Sequence, residues 1–321
     1  MRKAALLYNP DSGGQREKRK AELESVLALL RNAGVEVELM LPHSAAEAQQ
    51  QAKDAIQQGC DTVFAGGGDG TIHNIVQVLA NTPVALAILP LGTANALAHD
   101  LGLPINVFKA AQAALRSASR RIALGRIHYR DLADNPGARF FVVAAGAGVD
   151  AHLFYKLHTG AKQRMGMAAY YSKAWHLWFT YPMTRFHIEF SETGSNEKHA
   201  ADVTELLAVR IRNFGGVLQE LAPGASLERN DMRLVFCRTA SRLAFLQYVS
   251  RGLLRRNWKI PGIDLAHTDR VACTCSEQTS STVAVRSQPK VYIEADGELV
   301  GTLPAELSVV PDALTLLAPR I

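Results

Sequence analysis

The sequence predicts an α/β domain with a parallel sheet, followed by an all-β domain with antiparallel strands. Two patterns along the chain support this fold class. Over the first ~125 residues, short apolar runs alternate with segments of helical spacing, which is typical of βαβ units around a parallel sheet. After Ala123 strand-like runs predominate, which favours antiparallel β structure. A chain of 321 residues is long enough for both domains to bury a core.

The N-terminal domain is predicted from alternating strands and helices. The predicted strands are Ala4–Tyr8, Val35–Leu41, Thr62–Ala65 and Val84–Leu89, and the predicted helices are Glu17–Arg31, Ala45–Gln57 and Ile72–Leu79. Ser44 and Glu47 fit a capping box at the start of the second helix. In a parallel sheet of this kind, ligands bind at the carboxyl ends of the strands.

The C-terminal domain is predicted from its strand-like runs. These runs are Ile127–Leu132, Phe140–Gly146, Phe186–Phe190, Glu205–Ile211, Arg233–Cys237, Val271–Cys275 and Val291–Ala295. Helical segments near Met165–Phe179 and Ser241–Leu254 interrupt them. Cys273 and Cys275 would share one face of a strand, so we expect both to be small core residues.

Composition and charge are those of a globular protein with a mildly basic surface. Hydrophobic residues make up 48% and charged residues 20%, which excludes a disordered chain. The net charge of +5 favours anionic partners, namely nucleotides, nucleic acid or an acidic membrane surface. The N-terminal apolar stretch is too short for a signal peptide, and no apolar run reaches the ~20 residues that span a bilayer, so a cytoplasmic location is expected.

The most informative segment is the glycine-rich loop Gly66–Thr71, which lies between the third strand and the third helix. Glycines let the backbone adopt positive φ and let a ligand approach closely. The helix that follows offers N–H groups and the positive end of its dipole, which bind phosphate. The loop matches neither the P-loop nor the dinucleotide-binding fingerprint, and a plain strand-to-helix turn is the alternative interpretation.

Asp69 within this loop points to a cation. A carboxylate beside a polyphosphate is repelled unless a cation bridges the two groups. The residue therefore indicates Mg²⁺–nucleotide chemistry, with Asp69 as the candidate metal ligand.

Two more loops follow strand ends at the same predicted edge of the sheet. Leu89–Asn95 follows the fourth strand, where Thr93 and Asn95 place short polar side chains beside the N–H groups of a helix start. Asn9–Gly14 follows the first strand. Each loop alone is typical of an ordinary cap or turn. Three of them at one edge favour a single phosphate-binding crevice.

Together these loops resemble the signature loops of the diacylglycerol kinase catalytic-domain family, which includes bacterial diacylglycerol kinases and related lipid kinases, and sphingosine and ceramide kinases. The segments that carry the resemblance are Asn9–Gly13, Gly67–Thr71, Pro90–Asn95 and Asp296–Glu298, in this order. They extend over nearly the whole chain. The Gly67–Thr71 segment alone is also similar to NAD kinases, whereas the combination is more specific.

The resemblance implies an ATP-binding α/β domain over residues 1–124 and a β-sandwich lipid-substrate domain over 125–303, with the segment 304–321 returning to the first domain. It implies that ATP and Mg²⁺ are the cofactors and that a lipid hydroxyl accepts the γ-phosphate. The residues that it places at the nucleotide are Asn9, Pro10, Ser12, Gly13, Gly67, Gly68, Asp69, Gly70, Thr71, Gly92, Thr93 and Asn95.

The resemblance also implies that Glu298 is the general base, with Asp69 and Asp296 organising metal and nucleotide. Phosphoryl transfer needs mainly positioning and charge neutralisation, and a carboxylate to accept the hydroxyl proton. Asp296-Gly297 between two strand-like runs is equally typical of a hairpin turn. The two interpretations are compatible, because a turn can present a catalytic side chain.

The chain departs from the family's pattern in both domains. His73-Asn74 stands where the family shows Asn-Glu, so a carboxylate is missing. Arg229 stands where bacterial members carry an Asp that helps hold a structural Mg²⁺. Because a guanidinium cannot ligate a cation, we predict that this metal site is absent and that Arg229 pairs with a carboxylate. Asp231 would restore the site if the alignment shifted by two residues.

Two basic and aromatic stretches, Tyr155–Tyr181 and Arg251–Trp258, suit contact with an anionic membrane surface. Core helices with solvated basic faces are the alternative interpretation. Nucleic-acid binding is not expected, because nothing else in the chain resembles a nucleic-acid module. The sequence defines neither the oligomeric state nor the identity of the lipid acceptor.

Two other functions stay open at this point. A kinase of a soluble acceptor, as in NAD kinases, would share the Gly67–Thr71 loop, although the two other loops favour a lipid kinase. A non-catalytic lipid- or nucleotide-binding protein on the same fold would account for the departures from the pattern. Retention of Asp69, Asp296 and Glu298 disfavours that second alternative.

Overall fold

The structure is a computed structural model that describes residues 1–9, 16–148, 183–195, 197–215, 221–253, 259–275 and 290–319. The chain divides into two compact units. The first unit consists of Met1–Leu124, Ile211–Leu221 and Val310–Ile321, and the second consists of Gly125–Arg210 and Ala222–Val309. The predicted helical segment Met165–Phe179 lies outside the described residues.

The first unit is built on a parallel sheet. Its strands are β1 (Lys3–Tyr8), β2 (Glu36–Met40), β3 (Thr62–Gly67), β4 (Ala85–Pro90) and the C-terminal part of β15 (Glu298–Ala318). Its helices are α1 (Arg16–Asn32), α2 (Ala45–Gln57), α3 (Asp69–Leu79), α4 (Ala96–Asp100) and α5 (Val107–Arg116). The order across the sheet is β15-β4-β3-β1-β2, and each of these neighbouring pairs is parallel. The sequence placed a helix start directly after the Leu89–Asn95 loop, where α4 begins, but it did not predict α5.

Helices cover this sheet on both faces, so its central strands are apolar throughout. Every residue of β1 from Ala4 to Tyr8 is buried. Successive side chains point to opposite faces, and Ala4, Leu6 and Tyr8 pack in one cluster with residues of α1 and α5. On the other face of the sheet, α2 contacts β1, and α3 contacts β3 and β4. This burial explains why the strands appear in the sequence as continuous apolar runs.

The capping box at the start of α2 is formed in part as predicted. The Ser44 hydroxyl accepts a hydrogen bond from the Glu47 N–H at 3.1 Å. The Glu47 carboxylate, however, accepts from the N–H of His43 at 2.9 Å, one residue before the expected donor. The side chains therefore satisfy two N–H groups at this end of the helix, as a capping box does.

The second unit is antiparallel. Its strands are the Gly125–Arg130 part of β5 (Ala118–Arg130), β6 (Pro136–Phe141), β7 (Ala144–Gly148), β8 (Phe186–Ser191), β9 (Lys198–Val203), β10 (Glu205–Val209), β11 (Met232–Cys237), β12 (Ile263–Thr268), β13 (Arg270–Cys275), β14 (Tyr292–Ala295) and the N-terminal part of β15, and its described helix is α6 (Arg242–Leu253). One run of strands has the order β12-β11-β10-β7-β14-β15, while β13 pairs with β15 and β8, and β8 pairs with β9.

Two layers of these strands enclose one core. The core cluster includes Ile188 and Phe190 of β8 together with Leu234 and Phe236 of β11. The rings of Phe190 and Phe236 meet edge to face with their centroids 5.6 Å apart, although β8 and β11 are not paired with each other. Aromatic contact between unpaired strands is what a β-sandwich core requires.

Three predictions for this unit need correction. The single predicted strand Phe140–Gly146 is two strands, because the Asp296 carboxylate accepts hydrogen bonds from the backbone N–H groups between β6 and β7. The strand-like run that follows Asp296-Gly297 is only the start of the 21-residue strand β15. Cys275 is exposed because it is the last residue of β13, beyond the core cluster, whereas Cys273 is fully buried. Burial raises the pKa of Cys273 to about 12, so its thiol stays protonated.

Candidate active site

The glycine-rich loop of the first unit lies at the carboxyl end of β3, as the sequence predicted. β3 ends at Gly67, and α3 begins at Asp69 with Gly68 as its N-cap. Glycine has no side chain to cap the helix, which suits a helix start whose N–H groups bind a ligand. A Cβ on Gly67 would lie 2.4 Å from the Cβ of Thr71, so no larger residue fits there without moving Thr71.

The loop after β4 is joined to this glycine loop through backbone. The N–H of Leu91 donates to the carbonyl of Gly67 at 3.0 Å. A Cβ on Gly92 would lie 2.7 Å from the Cα of Gly68, which is closer than a side chain allows. The two loops therefore touch through facing glycines and form one surface.

Asn95 shapes the second loop from inside. It adopts the left-handed conformation, with φ of 48°. Its side-chain oxygen accepts from the N–H of Gly92 at 2.9 Å, and its side-chain nitrogen donates to the carbonyl of Gly92 at 2.8 Å. Asn95 is buried, whereas Thr93 in the same loop is exposed. Of these two residues, Thr93 has the accessible side chain, and Asn95 holds the loop in shape.

Asp69 also links the two loops. One oxygen of its carboxylate accepts from the N–H of Ala96, the first residue of α4, at 2.8 Å. Among the described residues of the three loops, Asp69 is the one carboxylate. A nucleotide-bound Mg²⁺ needs one or two protein carboxylates, and takes its other oxygens from phosphate and water. The residues present therefore fit an ion that arrives with the nucleotide.

The first loop is described only at its start. The N–H of Asn9 donates to the carbonyl of Gly66 at 2.8 Å, and its side-chain amide lies 3.4 Å from the hydroxyl of Thr71. Pro10, Ser12 and Gly13, which the family resemblance also places at the nucleotide, lie outside the described residues. The described part of this loop thus adjoins the glycine loop at its base.

The change at His73-Asn74 lies behind the glycine loop. Both side chains are buried in α3. The amide of Asn74 donates to the carbonyl of Gly70 at 2.8 Å and accepts from Gln49 of α2 at 3.1 Å. Asn74 therefore supports the loop from beneath, where a neutral amide can make both contacts.

Arg19 of α1 is a contact of the second loop that the sequence did not indicate. Its guanidinium donates to the carbonyl of Leu91 at 3.2 Å and lies 3.4 Å from the carboxylate of Glu22. These side chains and the loop line a cavity of about 300 Å³ between the loop and the start of α5. The 72 residues that separate the two partners explain why no local motif could reveal the contact.

In the second unit, a two-residue turn joins β14 to β15. Asp296 and Gly297 both have positive φ, of 49° and 79°, which is the geometry of a type I′ hairpin turn. The carboxylate of Glu294, itself buried, accepts from the N–H of Gly297 at 2.8 Å. The turn is therefore fixed by backbone conformation and by a side chain of its own strand.

Asp296 is held by the connection between β6 and β7. Its carboxylate accepts from the N–H groups of Val142, Val143 and Ala144 at 3.0, 2.8 and 3.1 Å. Its own N–H donates to the carbonyl of Ala144 at 2.8 Å. Hydrogen bonds from several N–H groups to one carboxylate are strong, and they fix the position of the turn.

Glu298 follows this turn as the first residue of β15. Its carboxylate lies 3.2 Å from the guanidinium of Arg139 on β6, and both side chains are about one-third exposed. The turn thus presents Glu298 at the surface of its unit, while Asp296 is committed to backbone N–H groups. The sequence did not indicate Arg139, which is 159 residues from its partner.

Arg229, also in the second unit, pairs with a carboxylate as the sequence predicted. Its Nε donates to one oxygen of Asp231 at 2.6 Å, and its Nη2 donates to the other oxygen. Within the described ranges, no group of three or more His, Cys, Asp or Glu side chains could hold a metal ion.

No described helix is both long and apolar enough to cross a membrane.

Known families match both parts of the chain. The diacylglycerol kinase catalytic domain matches residues 3–127, and the YegS C-terminal NAD kinase beta sandwich-like domain matches residues 143–318. A solved structure, of a putative diacylglycerol kinase from Bacillus anthracis, superposes with a TM-score of 0.73 over 99% of this chain and 97% of its own, at 16% identity. The predicted fold class, an α/β domain followed by a β-sandwich, is confirmed.

Curated relatives agree over almost the full length. A diacylglycerol kinase of Mycobacterium tuberculosis is 30% identical over 319 residues, which is 99% of this chain and 96% of the relative. A diacylglycerol kinase of Bacillus subtilis is 29% identical over 310 residues, which is 95% and 93% of the two chains. With motifs, fold and relatives in accord, the chain belongs to the diacylglycerol kinase catalytic-domain family.

Proposed function

We propose that this protein is a lipid kinase that transfers the γ-phosphate of ATP to the hydroxyl group of a diacylglycerol-like or sphingoid-like lipid. The observation that carries the proposal is the joined pair of glycine loops at the carboxyl ends of β3 and β4, with Asp69 between them. The two curated relatives described above are named diacylglycerol kinases, which makes diacylglycerol the first acceptor to test.

The first unit, with its predicted domain 1–124 and return segment 304–321, is assigned to ATP. We assign the polyphosphate to backbone N–H groups of Gly67, Gly68, Gly70, Thr71 and Thr93. Gly92, whose own N–H donates to Asn95, lets the second loop approach the first. Asn9 and Asn95 hold these loops in shape through the contacts described above. Mg²⁺ held at Asp69 would neutralise charge on the phosphates when the nucleotide is bound.

The predicted lipid domain, 125–303, supplies the base. The lipid oxygen attacks the γ-phosphorus, the bond to the oxygen shared with the β-phosphate breaks, and ADP leaves. Glu298 takes the proton from the hydroxyl group. Its exposure favours this role over Asp296, whose oxygens accept three backbone N–H groups. Arg139 is assigned as a positioning residue, since its ion pair sets the direction of the Glu298 side chain.

Contact with an anionic membrane surface would bring the protein to its substrate. The stretch Tyr155–Tyr181, and residues 254–258 of the second predicted stretch, lie outside the described residues. Sedimentation with anionic and with neutral liposomes tests this part of the proposal. Equal sedimentation with both would remove the electrostatic contribution.

A kinase of a soluble acceptor is the second candidate. This candidate is supported by the match of the second unit to a β-sandwich domain whose description refers to NAD kinase. A non-catalytic binding protein remains the third, and it predicts that ATP binds without turnover.

One transfer assay separates the three. The protein is incubated with ATP labelled at the γ-phosphate, Mg²⁺ and either a panel of lipids in mixed micelles or NAD⁺. The panel contains diacylglycerol, phosphatidylglycerol, a sphingoid base and a polyprenol. We expect label on one lipid class. Label on NAD⁺ would establish the soluble acceptor, and ATP binding without label on any acceptor would support a binding protein.

A further inference from the structure

The segment that leads into β11 in the second unit ends in a charged cluster. Asp231, directly before this strand, has a side chain that is only 3% exposed. Two arginines, Arg210 and Arg229, donate hydrogen bonds to its side chain or to the backbone next to it. The cluster lies within one unit and shares no residue with the glycine loops or with the Asp296 turn.

The carboxylate of Asp231 is fully engaged by its neighbour. Arg229 donates from Nε to one oxygen at 2.6 Å and from Nη2 to the other. This fork-to-fork geometry is the strongest form of the pair. Burial alone would raise the pKa of Asp231, but the hydrogen bond from Arg229 and the charges of His267 and Arg229 outweigh it and lower the pKa. The group is therefore ionised at neutral pH.

The backbone oxygens of the same segment are engaged by a second cation. Arg210, at the end of β10, is fully buried. Its Nη1 donates to the carbonyl of Arg229 at 2.8 Å and to the carbonyl of Asp231. Burial lowers the pKa of Arg210 to about 10, with the charge of Asp231 opposing the shift, so it too is charged at neutral pH.

These contacts do not leave the oxygens that a structural Mg²⁺ would need. The family resemblance places such an ion here, and a divalent cation would be bound by carboxylate and carbonyl oxygens. In this chain, guanidinium groups hold two carboxylate and two carbonyl oxygens. Two arginines and one aspartate already give the cluster a net positive charge, which repels a further cation in a poorly solvated site.

We propose that the guanidinium groups of Arg210 and Arg229 take the place of a structural cation, so that the second unit is held together at this segment without any divalent ion. From the interior of the unit, Arg210 binds the carbonyl oxygens of Arg229 and Asp231. Arg229 closes the segment from the surface through the carboxylate. This inference is independent of the proposed function, because it concerns the stability of the fold and not the transfer reaction.

Thermal unfolding of the full chain tests the proposal without nucleotide. The protein is measured in excess Mg²⁺, in excess Ca²⁺ and in EDTA, and its metal content is determined after gel filtration. We expect the same Tm in all three conditions and no stoichiometric metal. A lower Tm in EDTA, or one retained equivalent of metal, would overturn the proposal.

A charge-reversed variant tests whether a divalent cation can replace the guanidinium of Arg229. Arg229→Asp places a second carboxylate beside Asp231, and one divalent cation would then restore the net charge of the original cluster. We expect its Tm in EDTA to lie about 5–10 °C below the wild-type value, with most of the loss recovered in Mg²⁺ or Ca²⁺.

The matched control is Arg238→Asp, which removes the exposed ion pair between Arg238 and Asp264, 2.6 Å apart in the same unit. It should show a small loss of Tm and no recovery with cations. If Arg229→Asp has the same low Tm with cations and with EDTA, the guanidinium does not occupy the place of a cation and the proposal is wrong. If that variant does not fold, the wild-type comparison of Mg²⁺, Ca²⁺ and EDTA still decides.

Discussion

The glycine loops of the first unit and the acidic turn of the second differ in what limits substitution. The two loops meet through backbone, in the hydrogen bond from Leu91 to Gly67 and at the facing pair Gly68 and Gly92, and the side chains of Asn95 and Asp69 complete them. The turn owes its position to side chains, with the Asp296 carboxylate on three N–H groups and Glu298 on a guanidinium.

The difference determines which changes each region tolerates. The loops have no room for a side chain at Gly92, because the backbone of Gly68 in the facing loop occupies the space. The turn fails when a charge is removed, because its carboxylates act through partners on other strands. The first region is therefore sensitive to volume and the second to charge, and the substitutions below separate the two.

Asp69 combines both behaviours, and its variants should give a larger effect than those at Gly92, Gly68, Arg139 and His267. Asp69→Asn retains an oxygen for the N–H of Ala96 but removes the charge, while Asp69→Ala removes both. We expect each variant to lower kcat by at least ~10²-fold if the carboxylate works with Mg²⁺. Only Asp69→Ala should also lose stability, by about 1 kcal/mol, as a lost helix cap does.

Steady-state phosphate transfer and thermal unfolding measure the two effects separately. An Asp69→Asn variant with wild-type kcat would limit the residue to holding the start of α4. It would also mean that a residue other than Asp69 binds the metal.

The facing glycines offer an asymmetric test of the volume argument. A Cβ on Gly92 would collide with the Cα of Gly68 at 2.7 Å, whereas a Cβ on Gly68 would lie at an ordinary 3.4 Å from the Cα of Gly92. Gly92→Ala should therefore lower the free energy of unfolding by about 1–3 kcal/mol, and Gly68→Ala should leave it near wild type. Equal losses in urea unfolding would contradict the geometry.

Gly68→Ala adds a second result. If Gly68 serves the approach of phosphate to the backbone, this variant binds ATP more weakly at unchanged stability. Isothermal titration with ATP and Mg²⁺ measures that effect. Unchanged affinity would show that Gly68 does not lie at the nucleotide.

Arg139 tests the charge argument in the second unit with a smaller effect. Its ion pair with Glu298 is partly exposed, and such pairs contribute up to about 1 kcal/mol. Arg139→Gln should lower kcat about threefold to fivefold with KM for ATP unchanged, and Arg139→Lys should recover part of the loss. The difference from wild type should shrink as salt concentration rises.

The matched control is Arg126→Gln, because Arg126 lies over the ring of Phe140 on the neighbouring strand and not at Glu298. It should keep the wild-type kcat. If Arg139→Gln and Arg126→Gln behave alike, Arg139 does not position the base.

His267 gives the smallest expected effect, in the pH dependence of stability. Burial lowers the pKa of His267 below its usual 6.5, and the charge of Arg233 adds to this, while Asp231 opposes it. A lowered pKa in the folded state means that stability is fully present above pH 6.5. It is lost as the pH falls through the folded pKa, because the unfolded chain binds the proton more readily.

Thermal unfolding between about pH 8 and pH 5 measures this dependence. The Tm of the wild type should fall more steeply over this range than that of His267→Gln. Parallel curves would show that His267 is not the group responsible.

Much of the first unit could be predicted from the sequence, because its signals are local. The α2 prediction matches the observed helix, and the glycine loop lies where strand and helix patterns placed it. Helix α5 was missed. Its alanine-rich sequence has few large apolar residues to mark a buried face, although Ala110, Ala111 and Ala114 are all buried.

The partners of the site could not be predicted, because they lie far apart in the chain. Arg19 reaches Leu91, and Arg139 reaches Glu298 across 159 residues. A motif can indicate that Asp296 begins a turn, but it cannot show that Val142 and Val143 donate to its carboxylate. Long-range hydrogen bonds of this kind also divided a predicted strand into β6 and β7.

The most direct test of the account compares two glutamates on the same strand. Phosphate transfer from ATP to the accepted lipid is measured for Glu298→Gln and for Glu306→Gln. Glu306 lies farther along β15, and its carboxylate pairs with Arg270 of β13 at 2.7 Å. If Glu298 is the base, its variant loses kcat by about 10²–10⁴-fold with ATP affinity retained, and Glu306→Gln keeps wild-type kcat. Nearly equal kcat values for the two variants would contradict the assignment of the base to Glu298.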